Sequence, residues 1–365
     1  MRKDSNKKIA ALALVAALTN AVAMPFAQAG EIYEFYTGAR QLGMGGAYTG
    51  VVNDETALLT NPAGLGKVRD VIITVADPEL HGSFNNTEIT KLETLTKSFN
   101  ANDLVGLLKE HPGKHWHAKL QAFPSIVAPN VGFGIHAKSS YDASVSDDGS
   151  IYRLDYTNDY AAALGFCFRL FSGILKVGVT GRYVNRVEVH KDLDPNTSVD
   201  MNAVASEGSG FAGDIGMIAT APVAWLPSVS AVLRDVGDTS YTLTSGMFYK
   251  TQSRPAETKQ TMDAGISAFP ILSNQTRMTL TAEMHDVFNV RGESDMMKRV
   301  HTGMELNFHD FFFLRAGMNQ RYWTAGVELA TERFQLQAAS YGEELGDENA
   351  NKEDRRWVGK ISIRF

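Results

Sequence analysis

Arg356-Trp357-Val358-Gly359-Lys360-Ile361-Ser362-Ile363-Arg364-Phe365 closes the chain, and its reading decides the fold. Trp357, Gly359, Ile361, Ile363 and Phe365 fall on one face of an extended chain, and Val358, Lys360, Ser362 and Arg364 on the other. Successive side chains of a strand point to opposite sides, so this period of two predicts a strand with one apolar and one polar face. The split recurs upstream. In 299–308, Val300, Thr302, Met304, Leu306 and Phe308 oppose His301, Gly303, Glu305 and Asn307. In 322–330, Trp323, Ala325, Val327 and Leu329 oppose Thr324, Gly326 and Glu328. In 276–285, Met278, Leu280, Ala282 and Met284 oppose Arg277, Thr279, Thr281, Glu283 and His285.

Alternation alone also fits a soluble sandwich, whose strands face a core on one side and water on the other. Three features favour a membrane barrel. Arg2, Lys3, Lys7 and Lys8 precede a short apolar run and Ala27-Gln28-Ala29, the pattern of a secretory signal cleaved near Ala29. The final strand ends on an aromatic, Phe365, as outer-membrane barrels commonly do. The connections between about 14 expected strands also alternate between short turns and long loops, the layout of a transmembrane barrel. A bilayer offers no water to unpaired backbone groups, so such a sheet must close on itself. Aromatics near strand ends (Trp116, Trp225, Trp323, Trp357, Tyr322 and Tyr341) are expected at the interfaces or in buried positions.

Composition bounds the alternatives. The 365 residues carry a formal charge of −6, so a nucleic-acid partner is not expected. The one cysteine, Cys167, excludes a disulfide framework. Beyond the leader no apolar run nears the ~18 residues of a spanning helix, and an aromatic share of 10% speaks against disorder. The expected organisation is a signal peptide over 1–29, a plug over 30–66, and a barrel over 67–365 with an extracellular helical loop at 78–117.

The plug segment has a different texture. Gly38-Ala39-Arg40-Gln41-Leu42-Gly43-Met44-Gly45-Gly46-Ala47-Tyr48 is glycine-dense, and Asn53 to Leu65, ending Thr60-Asn61-Pro62-Ala63-Gly64-Leu65, follows it. Tyr48 stands where a dinucleotide fingerprint needs its third glycine, and no strand precedes. Glycines instead suit a compact segment folded inside a lumen. Joined to a downstream barrel, this segment resembles the FadL-like outer-membrane superfamily, and its PorV-like and TraF-like members most. Gly208 to Gly216, Ala231 to Asp238 and the block His301 to Tyr341 extend the resemblance over most of the chain. It implies a 14-stranded barrel plugged from the periplasmic side. Arg40, Gly43, Gly45, Gly46, Asn61, Pro62 and Gly64 are then the expected plug and gate positions.

The expected lumen face carries both signs of charge, in Asp263, Arg277, Glu283, Glu305, Arg315, Glu328, Lys360 and Arg364. Facing lipid they would be costly. They read as a salt-bridged interior that anchors the plug, although a lateral opening would let an alkyl chain avoid them. Ile89, Leu92, Leu95 and Phe99, then Leu104, Leu107 and Leu108, have helical spacing, and Asn102-Asp103 offers a cap. Two readings stand side by side: a hydrophobic contact site at the mouth, or helices that simply cover the lumen.

No G-x-S-x-G elbow or H-E-x-x-H pair is present, so neither enzyme nor cofactor is expected. His111, His115 and His117 read as a solvated cluster rather than a metal site. Trp357, Ile361, Ile363 and Phe365 form the expected assembly signal, read by the barrel-assembly machinery. Outer-membrane lipid and lipopolysaccharide are the expected surroundings. The leading functional expectation is passive uptake of small hydrophobic compounds. The alternative is a non-conducting scaffold or partner of a secretion, conjugation or surface-assembly system.

Overall fold

The computed structural model describes residues 33–83, 100–242, 246–346 and 350–365. The leader and the positions Ile89, Leu92, Leu95 and Phe99 lie outside the described residues. The strands form one closed antiparallel barrel of 14 staves. β1 runs in two pieces, Ile72–Ala76 and Glu79–Ser83, and β2 in two, His115–Ala122 and Ser125–Ala128. Then come β3 (Val131–Val145), β4 (Tyr152–Leu170), β5 (Leu175–Leu193), β6 (Ser206–Thr220) and β7 (Ser228–Arg234). β8 is Thr261–Ala268 continued by Ile271–Ser273, and β9 is Thr276–Met284. β10 (Val300–Phe308), β11 (Phe312–Asn319), β12 (Tyr322–Ala330), β13 (Phe334–Glu344) and β14 (Glu353–Arg364) complete the wall. β14 pairs with both pieces of β1 and closes it, for example at Lys360–Glu79 and Thr74–Arg364.

The wall has the polarity of a membrane protein. Ile126, Phe133, Phe166, Ile266, Val327 and Ile361 point outward, each at least 45% exposed. On the alternate positions Asp159, Arg186, Asp263, Glu305, Arg315 and Lys360 are buried inside. Water would penalise the first set and lipid the second, so only a bilayer outside and a filled lumen satisfy both.

The wall departs from the sequence reading in its extent. The first stave extends to Ser83 beyond Pro78, so part of the expected loop is wall. The staves β3, β4 and β5 reach 15, 19 and 19 residues, well past the ~10 that cross a bilayer. Their overhang is covered from outside. Helix α1 (Ala101–Lys109) begins at Asn100, whose side chain accepts from the amides of Asn102 and Asp103, two residues before the expected cap. Its Leu104 and Leu108 are buried with Trp116, Tyr141, Tyr152, Leu154, Val187 and Val189. Those strand residues alternate with the lumen-lining His115, Asp142, Arg153, Asp155 and His190, so the helix packs on the outer face of the overhang. It neither caps the mouth nor leaves Leu104 and Leu108 free for a ligand. Leu104→Ala should cost about 2–5 kcal/mol of this packing. Hydrogen exchange would then quicken over 101–109 while the staves stay protected; unchanged exchange in the helix would contradict the packing described.

The aromatics divide. Trp225 and Trp323 are exposed on the outside, whereas Trp116 lies under the helix and Tyr341 is buried in the wall. Arg277 also departs from expectation: it has the lumen-facing parity but sits at the short-turn rim. It is exposed there and 3.5 Å from Asp310.

Candidate functional site

Residues 33–68 fill the lumen, and the turns at 43–46 and 61–63 meet glycines of the wall. Gly45 and Gly46 adopt φ of +67° and +85°, a conformation that side-chain-bearing residues rarely take. The turn lets the plug backbone press on the wall where the wall itself is glycine. A Cβ on Gly303 would lie 2.3 Å from the Met44 carbonyl oxygen, and one on Gly178 would lie 2.2 Å from Pro62. Gly43 lies against Gly326, and Gly216 against the Asn61 side chain. Asn61 also accepts from the Ala63 amide and donates to the Thr49 carbonyl, and Pro62 follows at the first position of the short 3-10 helix Pro62–Lys67. Gly64 packs against Val52 within the plug.

Charge anchors the same segment. From the five-residue helical turn Ala39–Gly43, Arg40 grips Glu305 with Nε at 3.0 Å and Nη2 at 2.9 Å. Its Nη1 reaches Asn53 at 2.8 Å and Asp54 at 3.0 Å. Arg315 continues the chain of charges, bonding Glu305 at 2.7 Å and pairing with Glu328. Lys360 lies 3.2 Å from Asp77, and Arg364 holds plug residue Glu55 at 2.6 Å. Burial raises the Asp54 carboxyl, but Arg40 and Arg364 overcome it and hold the group below its ordinary value. Two of these pairs, Arg40–Glu305 and Arg364–Glu55, cross from plug to wall, while Arg315–Glu328 and Lys360–Asp77 lie within the wall.

Above the plug lies a vestibule of about 400 Å³, opening toward the long loops. Tyr33, Glu34, Thr37, Gln41 and Gly46 floor it, and His115, Lys119, Lys138, Asp142, Arg153 and Lys298 line it. The histidines of the 115–117 stretch bind wall carboxylate: His117 Nδ1 lies 2.7 Å from Asp142 and His115 Nε2 lies 3.2 Å from it. The plug's leading residues are clamped by cations. Arg186 and Lys138 stack on the Tyr33 ring at 4.5 and 4.3 Å, and Arg182 on Phe35 at 4.4 Å. The Tyr33 hydroxyl donates to Asp159 at 2.5 Å.

The wall is interrupted between β1 and β2, at a seam that the sequence reading missed. The ladder between β1 and β2 is in register at Thr74–Ser125 and again at Glu79–Gln121. Between them Asp77-Pro78 faces Phe123-Pro124, and proline has no amide hydrogen to give the ladder. The bond found across this gap is Phe123 N–H to Asp77 Oδ1, at 2.5 Å. On the far side of each strand the ladder is kept, through Ile361 N–H to Pro78 O and Ile135 N–H to Pro124 O. Phe123 closes the seam from within, packed against Tyr36 and His136. The two prolines, 46 residues apart in sequence, were the available signal.

No protein-family profile matches this sequence, and no curated protein does. Solved structures do. The CymD monoaromatic hydrocarbon channel superposes with a TM-score of 0.51 at 10% identity, over 92% of this chain and 97% of its own. The Pseudomonas putida toluene transporter TodX gives 0.51 at 11%, over 92% and 99%. The Ralstonia pickettii toluene transporter TbuX gives 0.51 at 12%, over 90% and 98%. At such identities the likeness speaks for fold, and it agrees with the resemblance carried by the plug motif. The chain has the fold of the FadL-like outer-membrane barrels, 14 staves closed around their own N-terminal segment.

Proposed function

We propose that this barrel is a passive outer-membrane conduit for small hydrophobic compounds, exported by its leader and plugged by the segment that fills its lumen. The observation that carries this reading is the interrupted β1–β2 seam. A solute captured in the vestibule meets a plug tied to the wall by buried ion pairs, so the straight path down the lumen is blocked. The seam offers a sideways path, since the wall there is held by a single carboxylate–amide bond and a phenylalanine. Moving Phe123 costs rotamer changes, whereas moving the plug costs several buried ion pairs. An apolar solute leaving through the seam passes directly into acyl chains, with no energy source and no cofactor. The outer wall is apolar to receive it: Val75 and Ile126 flank the seam and are more than half exposed.

Val75 and Pro124 directly adjoin the paired Thr74 and Ser125 and both are exposed, so a cysteine at each is placed to tie the two sides of the seam. Uptake of radiolabelled toluene by cells carrying Val75→Cys/Pro124→Cys should fall several-fold on oxidation, to the level of cells lacking the barrel. A reductant should restore it. Uptake unchanged by the cross-link would contradict lateral exit. The scaffold reading draws on the same ion-paired plug, and copurification of one stoichiometric protein partner without any solute uptake would favour it.

A further inference from the structure

Where the plug passes β8 and β9, three buried ligating side chains converge. We propose that Asp263, Glu283 and His285 bind one divalent transition-metal ion, which pins the plug to the wall.

Their donor atoms all lie within 4.8 Å of one another. Glu283 and His285 are each at least 95% buried. Glu283 Oε1 and His285 Nε2 stand 3.0 Å apart, yet neither makes an aligned hydrogen bond. Two donors at that separation suit neighbouring ligands of one ion with bonds of about 2 Å. The other atoms of both groups are already committed in the manner that orients metal ligands. Glu283 Oε2 accepts the amides of Tyr48 and Thr49 at 2.8 and 2.9 Å, which leaves Oε1 for the ion. His285 Nδ1 lies 2.7 Å from Glu34 Oε1, so a proton on Nδ1 leaves the Nε2 lone pair facing Glu283. A carboxylate behind a ligating imidazole fixes its tautomer and its aim.

Asp263 is held at its post by Arg234 Nε at 2.6 Å and by the Asp286 amide at 2.9 Å. Charge points the same way. Glu34, Asp263 and Glu283 bring three negative charges, Arg234 returns one positive, and His285 is neutral when it ligates. A divalent ion balances the two that remain, in a place where uncompensated charge is costly. Glu34 and His285 also line the vestibule, which gives the ion an entry from the long-loop side. The set of one imidazole and two carboxylates suits zinc and its first-row neighbours rather than calcium or magnesium. Two of the contacts that shape the site, from Glu34 and from the Tyr48–Thr49 amides, come from the plug, so the ion couples plug position to wall.

The test uses the full folded barrel in detergent, stripped with chelator, loaded with Zn²⁺ and dialysed. Mass spectrometry should count about one zinc per wild-type chain and per chain of His190→Ala, a vestibule control outside the site. His285→Ala and Glu283→Gln should retain almost none, and Glu34→Gln should weaken binding about 10–100-fold. Co²⁺ loaded in place of zinc should give ligand-field bands in the visible that His285→Ala abolishes. Wild-type barrel that holds no zinc, or a His285→Ala barrel that holds as much as wild type, would overturn the proposal. Should the variants not fold, zinc-free folded wild type without cobalt bands overturns it by itself, and His285 is then an imidazolium between Glu34 and Glu283.

Discussion

Arg40→Ala should turn a silent barrel into a conducting one. Arg40 is the hub between plug and wall, with a two-pronged grip on Glu305 and further bonds to Asn53, Asp54 and the Tyr48 hydroxyl. Its removal leaves Glu305 with Arg315 alone and frees Asp54 from one of its two cations. Breaking one side of a buried pair costs about 3–5 kcal/mol, chiefly through the charge left behind. Nearly all of that falls on the plug, because the 14 staves keep their ladders. In planar bilayers the wild type should show no sustained open level, and the variant should show long openings. Arg40→Lys should restore only part of the seal, since an ammonium cannot reproduce the fork on Glu305. A silent Arg40→Ala barrel would mean that shape alone retains the plug.

Shape is tested from the wall side by Gly303→Val. The atoms closest to a Cβ there belong to plug residue Met44, with its carbonyl oxygen at 2.3 Å, its carbonyl carbon at 3.0 Å and its Cβ at 3.0 Å. Valine suits a strand, so β10 tolerates the change while the plug must retreat. The folded barrel should keep its heat-modifiable gel shift, and protease added from the short-turn side should cut within residues 38–60. A plug as resistant as wild type would show that the close approach at Gly303 is dispensable.

Much of the wall was legible because a half-lipid, half-lumen strand must alternate, and alternation survives in one sequence. The 356–365 stretch is the clearest case, with Ile361 and Ile363 outward and Lys360 and Ser362 buried in the structure. What parity gives, however, is only a side and not a depth. Arg277 has the parity of Glu283 on the same strand but lies at the rim in solvent, three turns of the pleat away. The fate of Leu104 and Leu108 was illegible for a related reason. Helical spacing shows that a face is apolar, while the overhang of β3 to β5 that covers it lies elsewhere in the chain. The seam needed two strands read against each other, since neither Pro78 nor Pro124 alone tells what stands opposite. The ligand cluster needed more still: Glu283 and His285 share a face at a spacing of two, but Glu34 reaches them from nearly 250 residues upstream.

The plug gives the opposite lesson. Its glycine-dense text was recognisable, yet the reason for each glycine lies in the wall. Gly45 and Gly46 turn the chain, and Gly178, Gly303 and Gly326 on the staves make room for it. Half of that fit is written in strands that look ordinary when read alone.

Plug, vestibule and seam all depend on a wall whose outer face touches lipid. Nitroxide labels placed singly from 357 to 364 in bilayer-reconstituted protein measure that face directly. Collisions with oxygen should peak at 361 and 363 and dip at 360 and 362, and a water-soluble nickel chelate should reach none of the four. Labels at 361 and 363 that meet the nickel reagent as readily as a loop position would contradict the barrel in its membrane.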